Sequence, residues 1–354
     1  MDYREEIRDL VETVLRENAS DLHIAVGRYP TIRVNGELVA LTKKNLLTPE
    51  ITEGLVSALI PAGRKEEFLR RRSLDFSYQH AEQARFRVNS FFYSGFMGAA
   101  LRLIPVHIRT IEDLGVPQIL KEFTLREQGF FLIAGPTGHG KSTTLAALVD
   151  LINHTRAEHI VTIEDPIEYM FTQDRSVISQ REIGIDASDF ASALRAMFRQ
   201  DVNVGMIGEM RDPETMSAAV TAAETGHLIF SSLHTNSASQ TIDRILDSFP
   251  GHQQQQIRAQ LAATMIGIFS QRLIPRISGG LIPAYELLIA NSAVRNLIRE
   301  GKTHEIPMVI DTSSQEGMVS LNRSLVDLVK RGEVSLEHAI NYSLKPDEFK
   351  LLLR

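Results

Sequence analysis

An α/β architecture with a mostly parallel sheet, preceded by a small α+β domain and followed by a helical region, is the fold class that this 354-residue sequence predicts. Three observations predict it. Between residues 130 and 233 short apolar runs alternate with segments of helical character, the pattern of parallel strands joined by crossover helices. The run Phe130–Ala134 leads into Gly135-Pro136-Thr137-Gly138-His139-Gly140-Lys141-Ser142, a G-x-x-x-x-G-K-S sequence, and Thr144–Val149 then opens a helix. Ahead of this, roughly the first hundred residues read as short strands and helices that never settle into alternation.

In chain order, Ile7, Leu10, Val11, Val14 and Leu15 mark one face of an N-terminal amphipathic helix. Leu22, Ile24 and Val26 alternate as in a half-buried strand, and Thr31–Val34, Asn35-Gly36 and Glu37–Val39 read as a hairpin with a tight primed turn. Thr48-Pro49 supplies an N-cap and a first-turn proline for a helix through Leu59. Strands follow at Leu74–Tyr78, Arg85–Phe91 and Ala99–Ile104, so residues 1–105 are expected to form the α+β domain. Pro105 to Gly129 is the joint. Residues 106–284 then carry the parallel sheet: Phe130–Ala134, His159–Ile163, Val204–Ile207 and Leu228–Leu233 as strands, with a helix around Phe190–Phe198. Gln253–Gln256 reads as the polar start of a helix continuing through Ile257, Leu261 and Ile268, and residues 285–354 as helical, with Leu321, Leu325, Leu328 and Val329 on one face.

Composition narrows the function classes. Lys and Arg number 38 against 44 Asp and Glu, a net charge of −6, which disfavours a dedicated nucleic-acid binder. Without cysteine there is no disulfide framework and no thiolate metal site. The opening Met1-Asp2-Tyr3-Arg4-Glu5-Glu6 is acidic where a signal peptide is basic then apolar, and no uncharged apolar run is long enough to span a bilayer. A cytosolic protein is expected, one that can still dock on a membrane complex.

The glycine-rich stretch sits where a phosphate-binding loop must sit, between a buried strand and a helix start. Its glycines let the backbone wrap a polyphosphate and aim N–H groups inward, at the positive end of the helix. Gly135, Pro136, Thr137, Gly138, His139, Gly140, Lys141, Ser142 and Thr143 are the candidate nucleotide-binding residues, with Lys141 on the β- and γ-phosphates and Ser142 on Mg²⁺. The loop predicts a nucleoside triphosphate as ligand.

Other candidates end predicted sheet strands, where ligands bind in open α/β sheets. Glu164, opening Glu164-Asp165-Pro166-Ile167-Glu168, either orients an attacking water or supports the metal; read alone, the stretch is equally a polar loop ended by proline. Glu209, in Gly208-Glu209-Met210-Arg211-Asp212, stands where a carboxylate holds Mg²⁺ through water. His227 and His234 bracket the strand Leu228–Leu233, and the pair reads as contacts to the γ-phosphate, although a lone histidine is more often structural.

Together these segments resemble the secretion ATPase superfamily of type II secretion and type IV pili. Ala19-Ser20-Asp21-Leu22-His23, Phe86-Arg87-Val88-Asn89, Gln255-Gln256-Ile257-Arg258-Ala259-Gln260-Leu261-Ala262 and Val294-Arg295-Asn296-Leu297-Ile298-Arg299-Glu300 resemble its twitching-motility, pilus-retraction branch. In that last helix Val294, Leu297 and Ile298 also make an ordinary apolar stripe. The resemblance covers nearly the whole chain. It implies a RecA-like ATPase domain behind a PAS-like N-terminal domain, ATP and Mg²⁺ as cofactors, and a homohexameric ring. It also implies an inner-membrane pilus platform protein as partner and a paralogous retraction ATPase as a further candidate partner; the acidic charge balance adds the expectation of no nucleic acid. In such a ring Arg85, Arg87 and Arg102 match the arginines that reach a neighbour's phosphates; without the resemblance they read as a solvent-facing strand edge.

Departures from the family pattern are His139, where serine is usual, and Gln200–Gly205, which replaces an Asp-Pro-Asp-rich lead into the Glu209 strand. Pilus extension and type II secretion ATPases are the near alternatives. Many of them carry a tetracysteine zinc element and a longer N-terminal region, and this chain has neither. A RecA-like nucleic-acid translocase is the alternative from another class.

Overall fold

The computed structural model describes residues 2–34, 36–80, 84–104 and 107–353, and the chain divides into two compact units. One unit takes Met1–His107 together with Asp165–Met170; the other takes Ile108–Glu164 and Phe171–Arg354. Residue 105, the boundary expected from sequence, lies outside the described residues.

The first unit contains α1 (Tyr3–Arg16), β1 (Asp21–Ile24), β2 (Thr31–Val34), β3 (Glu37–Ala40), α2 (Pro49–Leu59), α3 (Lys65–Arg71), β4 (Ser73–His80), β5 (Ala84–Tyr93) and β6 (Phe96–Ile104). Asp2 caps α1 by accepting from the Arg4 and Glu5 N–H groups, and Thr48 caps α2 ahead of Pro49, so both helices start where their first-turn donors find side-chain oxygens. The six strands order as β3-β2-β1-β6-β5-β4 with every neighbour antiparallel. Val34 pairs with Glu37, as a two-residue hairpin loop requires; Asn35, half of the expected primed turn, lies outside the described residues. Side chains alternate across such a sheet. Leu22, Leu101, Val88 and Phe76, in register across β1, β6, β5 and β4, are buried in one core with Ile7, Leu10 and Val14 of α1. The opposite face carries Asp21, Arg102, Arg87 and Ser77, again in register.

The second unit runs α4 (Leu120–Thr124), β7 (Gly129–Ala134), α5 (Lys141–Thr155), β8 (His159–Glu164), β9 (Val177–Glu182), α6 (Phe190–Met197), β10 (Val204–Ile207), α7 (Pro213–Glu224) and β11 (Leu228–Leu233). It continues with α8 (Ala238–Asp247), α9 (Gly251–Thr264), β12 (Met265–Pro275), β13 (Leu281–Ile289), α10 (Ser292–Glu300), α11 (Ile306–Thr312), α12 (Leu321–Lys330), α13 (Leu336–Tyr342) and α14 (Pro346–Leu353). Seven strands order as β13-β12-β7-β11-β10-β8-β9, parallel except for β13. The central strands β7, β10 and β11 are buried along their whole length, which is why they read as mostly apolar runs, broken in β11 by Ser231 and Ser232. Parallel register brings the C-terminal ends of β7, β8, β10 and β11 to one edge of the sheet, and the loops leaving that edge hold the site.

Two sequence expectations change, and one strand was not foreseen. The helix beginning at Gly251 stops at Thr264, and Ile268 belongs to β12; no glycine, proline or polar cluster separates the two elements, so the apolar run hid the junction. The boundary placed at residue 284 falls inside β13, and helical structure resumes only at Ser292. Buried Ile282, Ala284, Leu287 and Leu288 give that strand a continuous apolar pattern without a clean period. The edge strand β9, Val-Ile-Ser-Gln-Arg-Glu, carries too many polar residues to be seen in sequence.

Candidate active site

The phosphate-binding geometry begins with two glycines. Gly135 has φ +146°, and a Cβ there would lie 2.4 Å from the Gln271 carbonyl oxygen of β12. Gly140 has φ +81° and stands at the N-cap of α5, where the chain leaves a left-handed conformation for the helix. Between them the loop arches from the end of β7 to the first turn of α5, Lys141–Thr143, whose N–H groups have no acceptor within a helix. The first bond of the helix ladder is Thr144 N–H to the Gly140 carbonyl, at 3.0 Å.

Lys141 is 7% exposed, low for a lysine. Its Nζ donates to the carbonyls of Gly135 and Pro136, both at 3.0 Å, and lies 3.2 Å from His234 Nδ1. Thr137 Oγ1 approaches the same imidazole nitrogen at 3.2 Å. Because an ammonium only donates, Nδ1 is the acceptor in the Lys141 contact. The ring's Nε2 lies 3.3 Å from Glu209 Oε2, while the other Glu209 oxygen pairs with Arg211. A chain of polar contacts thus runs from Lys141 through His234 to Glu209.

Sheet pairing puts these groups together. The Gly208 N–H bonds to the Ile163 carbonyl at 2.9 Å, extending the β8–β10 pairing by one residue and setting Glu209 beside the end of β8. The hydroxyls of Ser231 and Ser232 donate to the carbonyls of Ile207 and Gly208, fastening the end of β10 to β11 just ahead of His234. Glu164, the last residue of β8, is 5% exposed; its Oε1 accepts from Thr162 Oγ1 at 2.7 Å and lies 3.4 Å from Gln180 Nε2.

The expected histidine pair divides. His234 leaves the C-terminal end of β11 at the site, but His227 precedes the N-terminal end of that strand, beside Gly129, where β7 begins. Its Nδ1 lies 2.9 Å from the Ala222 carbonyl at the end of α7, and its ring meets Phe198 edge-on. A six-residue strand separates the two, about 20 Å of extended chain. His227 is therefore not brought to the phosphate loop of its own unit.

The arginines lie on the polar face of the first unit's sheet. Arg87 and Arg102 are directly paired across β5 and β6, a repulsive placement of like charges. Each is matched to a carboxylate: Arg87 to Glu168 at 2.9 Å and Arg102 to Asp21 at 2.8 Å. Burial raises the Asp21 carboxyl, but hydrogen bonds from Ser20 and Arg102 and the charge of Arg102 together outweigh it and hold the group below its ordinary value. Arg85 donates to Ser77 Oγ.

Two site residues were not visible in sequence. Gln271 and Leu273 on β12 hold the phosphate loop from behind: Gln271 Nε2 donates to the His139 carbonyl at 2.6 Å, and the Leu273 N–H donates to His139 Nδ1 at 2.9 Å. The available signal was a polar Gln-Arg pair inside the apolar run Met265–Pro275.

A strand–loop–helix with left-handed glycines, a buried lysine, and an acid and a histidine at adjacent parallel strand ends defines a P-loop nucleotide-binding protein of the α/β class. Residues 3–281 match the family described as type II/IV secretion system protein, and the chain belongs to that family. It is 40% identical to the type IV pilus retractation ATPase PilT of Pseudomonas aeruginosa, over 97% of this chain and 100% of that one. To the type IV pilus ATPase PilU of the same organism it is 35% identical, over 99% and 91% of the two chains. Among solved structures, the pilus retraction motor PilT with bound ADP superposes with a TM-score of 0.90 at 43% identity, covering 98% of this chain and 99% of that one. The Legionella pneumophila ATPase DotB superposes at 0.85 with 25% identity, covering 99% and 95%.

Proposed function

We propose that this chain is a Mg²⁺-dependent ATPase that assembles as a homohexameric ring and powers retraction of type IV pili. The observation that carries the reading is the 40% identity spanning 97% of this chain and the whole of a relative named for that activity. The site is consistent with it in detail. The glycine-formed loop and the first turn of α5 supply N–H groups to the phosphates, and Lys141 Nζ, already turned toward acceptor oxygens, supplies charge. Ser142 and Glu209 are the residues that would hold Mg²⁺, Glu209 through water, and the acid–hydroxyl pair is the oxygen donor set this ion favours. When bound, Mg²⁺ offsets charge on the phosphoryl oxygens. Glu164 orients the attacking water and accepts its proton at a carboxylate oxygen, and His234 presents its ring to the γ-phosphate side of Lys141.

Arg85, Arg87 and Arg102 act in trans, on the nucleotide of an adjacent subunit, since head-to-tail contacts close a ring and bring one unit to the next chain's loop. The ring works in the cytoplasm against an inner-membrane platform protein, with a paralogous retraction ATPase as a further partner; PilU is such a relative of this chain. The test joins biochemistry to phenotype. The purified protein should hydrolyse ATP only with Mg²⁺ and without stimulation by DNA, and a deletion strain should lose twitching while keeping abundant pili. A deletion strain with no pili would transfer the protein to extension, and DNA-stimulated turnover would transfer it to the translocase class.

A further inference from the structure

We infer that Gln271 is a positioning residue for the phosphate loop, a side chain on β12 that sets loop geometry and hence nucleotide affinity. The inference rests on the ATPase reading and adds a residue to it. Gln271 is 2% exposed, and its side chain is bonded to the loop and to the helix that follows it. Its carboxamide uses both ends: Nε2 donates to the His139 carbonyl at 2.6 Å, and Oε1 accepts from Thr144 Oγ1 at 2.8 Å. One planar amide therefore ties the loop, at His139, to the helix it feeds, at Thr144. The intervening residues, Gly140 to Thr143, include the lysine and the metal-binding serine. The two backbones also approach closely here, since a Cβ on Gly135 would lie 2.4 Å from the Gln271 carbonyl oxygen.

The neighbouring bond extends the same clamp. β12 pairs with β7 as far as Ser270 and Ala134, where β7 gives way to the loop. Three residues on, the Leu273 N–H finds its acceptor in the imidazole of His139, at 2.9 Å. A side-chain nitrogen thus does what a strand carbonyl would do had β7 continued. Both ends of the loop are consequently registered on one strand.

A buried amide with both ends bonded is costly to break, because replacing it leaves the His139 carbonyl and the Thr144 hydroxyl without their partner. Loosening the loop should weaken nucleotide binding while leaving Glu164 and Glu209, at the ends of β8 and β10, in place. The test compares wild type with Gln271→Leu and Gln271→Glu in the full-length protein, measuring Mg-ADP binding by calorimetry and the KM and kcat of ATP hydrolysis. The expected result is a rise of about tenfold in the ADP Kd and the ATP KM, with kcat changed by less than about threefold. Simple loss of folded protein would instead lower kcat per mole of chain and leave KM alone. Gln271→Glu keeps the shape and the acceptor for Thr144 but sets a carboxylate oxygen against the His139 carbonyl, so its affinity should fall at least as far.

Wild-type Kd and KM in either folded variant would overturn the inference while leaving the ATPase reading intact. Absence of ADP binding and hydrolysis in the wild type would sink both. Should the Gln271 variants fail to fold, Thr144→Val removes the hydroxyl from the same bond with little change of shape. The same rise in KM is expected there, and an unchanged KM would overturn the assignment.

Discussion

Glu164 and Glu209 are both carboxylates at strand ends, yet their surroundings differ and so do their expected roles. Glu209 is bound up with Arg211 and His234, while Glu164 is buried against Thr162. On the role proposed for Glu164, Glu164→Gln preserves shape and removes the charge that would orient and deprotonate water, so hydrolysis should fall by about 10²-fold or more with ATP still bound. Near-normal turnover in a folded Glu164→Gln ring would pass the role to Glu209 or Glu168. His139 gives a pH prediction. Burial, then the charges of Arg272 on β12 and Lys141 on α5, lower its value below the ordinary 6.5. Its Nδ1 accepts from Leu273 only when unprotonated. Between the lowered value and 6.5 the unfolded chain takes up the proton first, so this contribution to stability is complete above 6.5 and is lost as pH falls through that window. Thermal unfolding of wild type and His139→Ser across that range checks it: the variant should lose the part of the slope due to this ring, and an unchanged slope would show that His139 does not titrate with folding.

At the scale of elements, the helix α10 shows how an apolar stripe and an arginine that holds a neighbouring helix end share one segment. Val294 and Ile298 are fully buried in the sheet's core, which satisfies the amphipathic pattern. Arg295 does something different. Its guanidinium donates to the Ala290 carbonyl at 3.0 Å and to the carbonyls of Ala262 and Ala263, the last-turn acceptors of α9 that the helix itself cannot satisfy. A cation at a helix C-terminus is also favoured by the helix dipole. Since α9 passes directly into β12, this contact fixes the start of the strand that carries Gln271. Arg295→Ala should therefore cost on the order of 2–3 kcal/mol of stability, measured by urea unfolding of the second unit's transition, because charged hydrogen bonds are lost and carbonyls left behind. Arg295→Lys should recover only part of that, as a single ammonium cannot reproduce the planar fork. A loss below about 0.5 kcal/mol for the alanine variant would mean that water replaces the contact without penalty.

For the whole molecule the sharpest expectation concerns shared sites. The first unit carries Arg85, Arg87 and Arg102 on one sheet face, and the second carries the phosphate loop. If the arginines act on a neighbour, Lys141→Ala and Arg87→Ala proteins, each inactive alone, should complement when mixed into one ring. At some interfaces an intact lysine then meets an intact arginine, and an arginine at that position contributes about 10³–10⁵ in rate. A single-turnover burst of phosphate is the measurement. With mixed rings verified by mass, no burst with Arg87→Ala, Arg85→Ala or Arg102→Ala would rule out action in trans. Arg87 and Arg102 are paired to Glu168 and Asp21 within their own unit, so Glu168→Gln should raise the availability of Arg87 and alter the burst amplitude.

The sequence by itself determined the phosphate loop, the four parallel strands β7, β8, β10 and β11, and the acid that follows β10. Each is written in local chemistry: fixed glycine spacing, apolar runs of strand length, and a polar residue at a strand's end. Arg87 and Arg102 were visible as residues, and only strand register put them opposite one another with a carboxylate for each. Tertiary structure decided the rest. His227 and His234 look equivalent as brackets of one strand, but a parallel sheet has two ends, and only one meets the loop. Gln271 is 131 residues from Gly140 in sequence, and no periodicity announces that a buried amide there will hold the loop from behind. The β12–β13 pair escaped notice for a related reason: apolar residues buried on both faces show neither the helical nor the alternating period, and what tells strand from helix is the hydrogen-bonding partner, which lies far along the chain.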